Sequence, residues 1–127
     1  MRGISFWFFL VATICVTIGM AGGIFMSATH DHTLGPVHGH LNLVGWVTMA
    51  LFGGYYHMVP KAGLRLMARI HFVLATAGVI VMVPGIAMAI LHGEPAGAAI
   101  GSMLTMASML IFLGTVIYDR RTAGKAA

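Results

Sequence analysis

Charged residues are scarce in this sequence: Asp, Glu, Lys and Arg make up 8% of its 127 residues, against about a quarter in a typical soluble domain. Hydrophobic residues reach 59%, and the mean hydropathy is +0.94. A folded monomer of this size cannot hide so much apolar surface from water. The composition therefore excludes a soluble enzyme, a disordered chain and a nucleic-acid-binding protein.

Cysteine is almost absent as well. Cys15 stands alone, which excludes an intrachain disulfide and any Cys-rich metal site. Eleven methionines are present, but none forms a Met-x-x-Met cluster in a polar loop, so we expect them to fill packing gaps. Histidine, in contrast, occurs seven times, as often as Lys and Arg together. The histidines are therefore the main candidates for side chains that bind a metal or a cofactor.

Four long uncharged runs occupy nearly the whole chain. They are Gly3–Thr29, Thr33–Pro60, Ile70–Gly93 and Pro95–Tyr118. Each is longer than the roughly 20 residues that a helix needs to cross a bilayer. Only helices and closed barrels span lipid, and none of the runs alternates as a barrel strand would. The sequence predicts an all-α integral membrane protein, a single four-helix transmembrane domain over residues 1–127, with helices at about 4–27, 36–59, 67–91 and 96–118.

The basic residues predict the orientation in the membrane. All seven fall before the first helix, between the second and third, or after the fourth: Arg2, Lys61, Arg65, Arg69, Arg120, Arg121 and Lys125. The other two loops carry only Asp31 and Glu94. The positive-inside rule then places both termini in the cytoplasm. We expect a multi-pass protein of the bacterial inner (cytoplasmic) membrane, with the His30-Asp31-His32 loop in the periplasm.

Two histidines lie one turn into the second helix, in the sequence His38-Gly39-His40. Residues i and i+2 of an α-helix are about 200° apart, so the two imidazoles point to nearly opposite faces and cannot share one metal. They can serve two centres, and haem is the natural class because imidazole is a common axial ligand. Gly39 leaves room for a porphyrin, with Asn42 as a hydrogen-bond partner and Trp46 as a packing wall. The alternative is that both histidines only form hydrogen bonds between helices.

The wider segment resembles subunit I of the haem-copper oxidases. The resemblance rests on His30-Asp31-His32-Thr33, Val37-His38-Gly39-His40, the Tyr-Tyr stretch that ends in Pro60-Lys61, and Arg69-Ile70-His71-Phe72. It covers about residues 30–88 and matches the tenth and eleventh helices of that family in order and spacing. The sequence His40-Leu41-Asn42-Leu43 is also similar to the second helix of the nitric oxide reductases.

This resemblance implies roles for individual histidines. His38 matches the axial ligand of the high-spin haem, and His40 matches a ligand of the low-spin haem; the haem type expected is b. His71 matches a histidine that is not a ligand, and His57 replaces an aromatic residue at the inner interface. The histidines that hold copper in the family, and its acidic and Lys proton-channel residues, have no counterpart here. Copper is therefore only a secondary candidate.

Three further histidines are candidate metal ligands. His30 and His32 flank Asp31 in the outer loop, and His92 lies near the outer end of the third helix. They could reach a metal beside the second helix. The alternative is that they are solvated loop residues.

These features predict a haem-binding membrane protein, a minimal four-helix relative of the haem-copper oxidase core, with electron transfer or diatomic gas (O2 or NO) chemistry near the outer face. If it is an enzyme, it is an oxidoreductase of the cytochrome oxidase or nitric oxide reductase type. The alternatives are a non-enzymatic haem or gas sensor or accessory subunit, a small bis-His cytochrome b that uses His57 with His71, and a haem-free packing subunit. The sequence identifies no redox partner.

Self-association as a homotrimer is also expected. The catalytic subunit of the family has twelve helices in three similar arcs of four, and three copies of this chain supply twelve. Each second helix would stand between two clefts, with His40 facing one cleft and His38 the other. Six histidines would then serve three equivalent haems.

Overall fold

The computed structural model describes residues 1–123, which are helical apart from short connections. No strand occurs in this range, so the predicted all-α class is confirmed. Its helices are α1 (Ile4–Thr29), α2 (35–58), α3 (Pro60–Gly63), α4 (Leu66–His92) and α5 (Ala96–Ala123). Lys125, one of the basic residues behind the predicted topology, lies outside the described residues.

Three of these helices are long and apolar enough to cross a membrane: Ile4–Thr29, Leu66–His92 and Ala96–Thr122. The chain therefore has the character of a multi-pass membrane protein whose helices contact the lipid bilayer. Helix α2 is divided by its hydrogen-bond pattern. An α-helical turn (Gly35–His40) runs without a break into a π-helical segment (Leu41–Thr48), and α-helix resumes over Met49–Met58.

The helices pack as two antiparallel pairs, α1 with α2 and α4 with α5. In the second pair, glycines allow the two backbones to approach closely. A Cβ at Gly85 would collide with the backbone of Gly97 and Ala98, and a Cβ at Gly101 would collide with Met82. Small residues of this kind are typical of tightly packed membrane helices, where dispersion contacts rather than the hydrophobic effect drive association.

An aromatic cluster joins the two pairs in the half of the molecule that carries the basic residues. His71 of α4 is fully buried at its centre. The His71 ring lies 4.4 Å from the ring of Phe52 and 5.6 Å from that of Phe112, measured between centroids, and its Nδ1 is 2.9 Å from the Tyr56 hydroxyl. Phe8 of α1 packs on the same ring at 5.1 Å. His71 is thus a packing residue that connects all four long helices.

Helix α5 extends past its predicted end at residue 118, and Asp119 explains the extra turn. The Tyr55 hydroxyl donates a hydrogen bond of 2.8 Å to one carboxylate oxygen of Asp119, and Arg65 forms an ion pair with the other. The Arg65 guanidinium also lies 4.6 Å from the centre of the Tyr118 ring. These contacts fix the end of α5 against α2 and the start of α4. Arg120 and Arg121 consequently belong to the last turns of the helix.

Candidate functional site

His40 presents one free ring nitrogen on the outside of the chain. Its Nδ1 lies 2.8 Å from the backbone carbonyl oxygen of Pro36, one helical turn earlier. A carbonyl only accepts hydrogen bonds, so Nδ1 carries the proton in this contact, and the lone pair of the neutral ring is on Nε2. The side chain is exposed. The hydrogen bond therefore fixes both the tautomer and the orientation of the ring.

His38 lies on a different side of α2, against α1. Its ring packs over Gly23, where a Cβ atom would come within 3.0 Å of the His38 Cε1 atom. The Asn42 amide nitrogen is within 3.4 Å of the His38 ring nitrogens and donates a hydrogen bond of 2.8 Å to the His38 carbonyl oxygen. Asn42 itself rests on Gly19 of α1. Two glycines of α1 thus make the space that His38 and Asn42 occupy.

The π-helical segment begins directly after His40. A change from α to π pairing alters which backbone N–H reaches which carbonyl. Side chains add to the backbone bonds here. Asn42 donates to the His38 carbonyl, which also accepts from the Leu41 backbone N–H, and the Thr48 hydroxyl donates at 2.8 Å to the carbonyl of Leu43. π-helical turns occur frequently at functional sites, and this one adjoins the histidine pair.

Exposed apolar side chains follow His40 along α2. Leu43, Val47 and Leu51 are each at least two-fifths exposed. Open space adjoins the pair, because a Cβ at Gly39 would meet no atom within 4 Å. Trp46, predicted as a packing wall, packs against the buried cluster between the helices.

A hollow also lies on the side of α1 next to His38. It has a volume of about 550 Å3 and is lined by Met20, Gly23, Ile24, Ser27 and Ala28. Gly23 is shared, since it both carries the His38 ring and lines the hollow. The ring of His38 thus lies on a glycine that also lines the hollow, whereas His40 is exposed at the surface of α2.

The outer-loop histidines are placed apart from any assembled site. His30, His32 and His92 are exposed, and in residues 1–123 no three His, Cys, Asp or Glu side chains are grouped so that they could hold a metal ion. Asp31 instead organises its own loop: its carboxylate accepts hydrogen bonds from the Thr33 hydroxyl (2.6 Å) and backbone N–H (2.9 Å). These bonds lower the pKa of Asp31, because they favour the charged carboxylate.

Several contacts at the site were not predicted from the sequence. The backbone carbonyl oxygen of Pro36 orients the ring of His40. Gly19 and Gly23 leave the space that Asn42 and His38 occupy. The available signal was the spacing of four between Pro36 and His40 and between Gly19 and Gly23, which places each pair on one helix face.

Comparison with known proteins finds no matching family model, no similar curated protein and no similar solved structure. The likeness to the haem-copper oxidases therefore rests on the residues named above.

Proposed function

We propose that this protein binds a b-type haem near the outer face of the membrane and that the Nε2 atom of His40 is an axial ligand to the iron. One observation carries the proposal: the Nδ1–Pro36 hydrogen bond leaves Nε2 as an oriented electron-pair donor at the exposed surface of α2, followed along the helix by exposed apolar side chains. Metal-ligating histidines typically donate their other ring N–H to a carbonyl or carboxylate. An unpaired imidazole facing lipid is costly, which favours a role in binding.

The residues around His40 suit a flat macrocycle. Gly39 places no side chain beside it and leaves the adjacent space open. Leu43 and Val47, which follow His40 along α2, are exposed apolar side chains of the kind that a porphyrin requires. Such a dry surround, together with the axial ligands, sets the redox potential of the iron. Bound haem would supply one-electron transfer or the reversible binding of O2 or NO.

The same proposal includes four membrane spans. Helix α2 runs for 24 residues without a break, and at up to 1.5 Å per residue this gives about 35 Å, enough for a hydrocarbon core of about 30 Å. With the basic residues inside, both termini are cytoplasmic, and the His30-Asp31-His32 loop faces the periplasm of a bacterial cell. His38 and His40 then lie towards the outer face.

We propose further that three chains assemble into a ring. His40 is exposed on α2, while His38 packs over Gly23, which lines the hollow beside α1. A cleft between neighbours would receive His40 from one chain and His38 from the next, which is the pair that a six-coordinate haem needs. Closed cyclic symmetry is the usual form of assembly for identical subunits. In this arrangement the site is incomplete without the neighbouring copy.

The rival bis-His cytochrome b is disfavoured by the position of His71. Its ring is fully buried among Phe8, Phe52, Phe112 and Tyr56, so no face is open to a porphyrin. A haem sensor or accessory subunit would use the same His40 site as an oxidoreductase and would differ from it only in that it does not turn over a substrate. If the protein is an oxidoreductase of the cytochrome oxidase or nitric oxide reductase type, the purified protein should reduce O2 or NO in a steady-state assay.

Absorption spectra of the purified protein test the haem proposal. The wild type should show a Soret band, and His40→Ala should lose the low-spin bands while the protein still inserts into the membrane. His57→Ala is the matched control, because His57 is equally exposed but lies at the other end of α2. A wild type without a Soret band, or unchanged bands in His40→Ala, would rule out the assignment.

A further inference from the structure

A groove with an apolar lining and a basic mouth lies between α4 and α5, at the end of the molecule opposite His40. Its volume is about 380 Å3, and its lining includes Arg65, Ala68, Ile111, Gly114 and Tyr118. Ile111, Gly114 and Tyr118 share one face of α5 and extend over two turns, about 10 Å. The groove therefore runs along the helices into the apolar part of the chain.

The mouth of the groove carries the positive charge. Arg65 lines it and is held in place by Asp119 and by the ring of Tyr118. Arg121 follows Tyr118 by three residues towards the end of α5, so it lies beyond the mouth on the aqueous side. Arg69 follows Arg65 by one turn of α4, in the direction of the apolar part of the chain. Asp119 is the one acidic residue among the cations at this end of the sequence. Positive charge therefore remains after the Arg65–Asp119 pair is counted.

We propose that this groove binds an anionic phospholipid, with an acyl chain along Ile111 and Gly114 and the phosphate group at Arg65 and Arg121. The lining matches hydrocarbon, and the surplus of cations at the mouth matches a negative headgroup at the depth where lipid phosphates lie. Each basic side chain near the surface favours an anionic lipid by about 1 kcal/mol. This site is independent of the haem proposal, which concerns the opposite end of α2.

Gly114 permits a clean test of groove occupancy. A Cβ at this position meets no atom of the described residues within 4 Å, so the side chain of Gly114→Leu begins in open space at the groove. Gly22→Leu is the matched control, because a Cβ at Gly22 also meets open space but lies on α1. Arg121→Gln removes charge at the mouth and leaves the Arg65–Asp119 pair intact.

The experiment uses native mass spectrometry of the full chain, reconstituted in equal amounts of phosphatidylglycerol and phosphatidylcholine with identical acyl chains. The wild type and Gly22→Leu should retain phosphatidylglycerol over phosphatidylcholine by about fivefold or more, the factor that one basic residue supplies. Gly114→Leu should lose the retained lipid. Arg121→Gln should keep a lipid but reduce the preference about fivefold.

Three results would overturn the proposal. They are equal retention of the two lipids by the wild type, equal lipid retention by Gly114→Leu and Gly22→Leu, and an unchanged preference in Arg121→Gln. A change in the number of chains per particle in Gly114→Leu, with lipid retention unaltered, would show that a second copy covers the groove instead.

Discussion

The ring of His40 and the backbone carbonyl of Pro36 are joined by a hydrogen bond of 2.8 Å across one turn of α2. The ring of His38, two residues earlier, has no equivalent contact with the backbone of residues 1–123, and it lies against Asn42 and Gly23 instead. The two imidazoles are thus oriented by different means and on different sides of one helix. This difference makes their roles separable by substitution.

Oligomeric mass and haem content test the ring of three. If each haem lies between two chains, mass measurement in detergent should give three chains with one haem per chain. His38→Ala and His40→Ala should then affect the same spectral component, because both ligands belong to every haem. A haem-loaded monomer would contradict the ring. Different components lost in the two variants would favour two separate centres on opposite faces of α2.

Gly23→Ala should alter the environment of His38. The added Cβ would lie within 3.0 Å of the His38 Cε1 atom, so the ring must shift by a few tenths of an ångström. We expect a shifted or broadened haem spectrum, since small changes in ligand orientation change the iron environment. Gly22→Ala is the control, because its Cβ meets open space, and its spectrum should match the wild type. Identical spectra in both variants would show that His38 is not part of the haem environment.

His71→Ala should destabilise the fold while haem remains bound. The substitution empties a fully buried site among four aromatic rings and leaves the Tyr56 hydroxyl without its partner. Loss of a large buried ring typically costs about 3–5 kcal/mol. Thermal unfolding in detergent, followed by helix signal and Soret absorbance together, measures both effects. Loss of haem from a variant that stays folded would instead support the alternative in which His57 and His71 are the haem ligands of a bis-His cytochrome b.

Asp119→Asn should loosen the basic end of the bundle. Asp119 accepts from Tyr55 and pairs with Arg65, and its side chain is only 12% exposed. The neutral amide weakens both interactions, so we expect a loss of about 1–3 kcal/mol in the free energy of unfolding. Glu94→Gln, at an exposed loop position, should change stability by less than about 0.5 kcal/mol. Equal unfolding midpoints would show that the ion pair contributes nothing to stability.

Some of the site followed from helix geometry alone. The spacing of His38 and His40 requires their rings to diverge, because each residue turns an α-helix by about 100°. Both residues lie in the α-helical turn that precedes the π segment, so this geometry applies to them. Trp46 lies inside the π segment, and sequence spacing based on 3.6 residues per turn could not place it.

The sequence by itself determined the all-helical class, because long uncharged runs in a membrane can satisfy their backbone groups only internally. It also determined which end of the bundle is basic, since that depends only on where the charges interrupt the runs. The free Nε2 of His40 depends on a local contact, with the Pro36 carbonyl one helical turn earlier. The tertiary structure alone decided what surrounds the other two histidines: the position of His38 depends on Gly23 of another helix, and the burial of His71 depends on rings from three other helices. These latter contacts join residues distant in sequence, so no local pattern of residues records them.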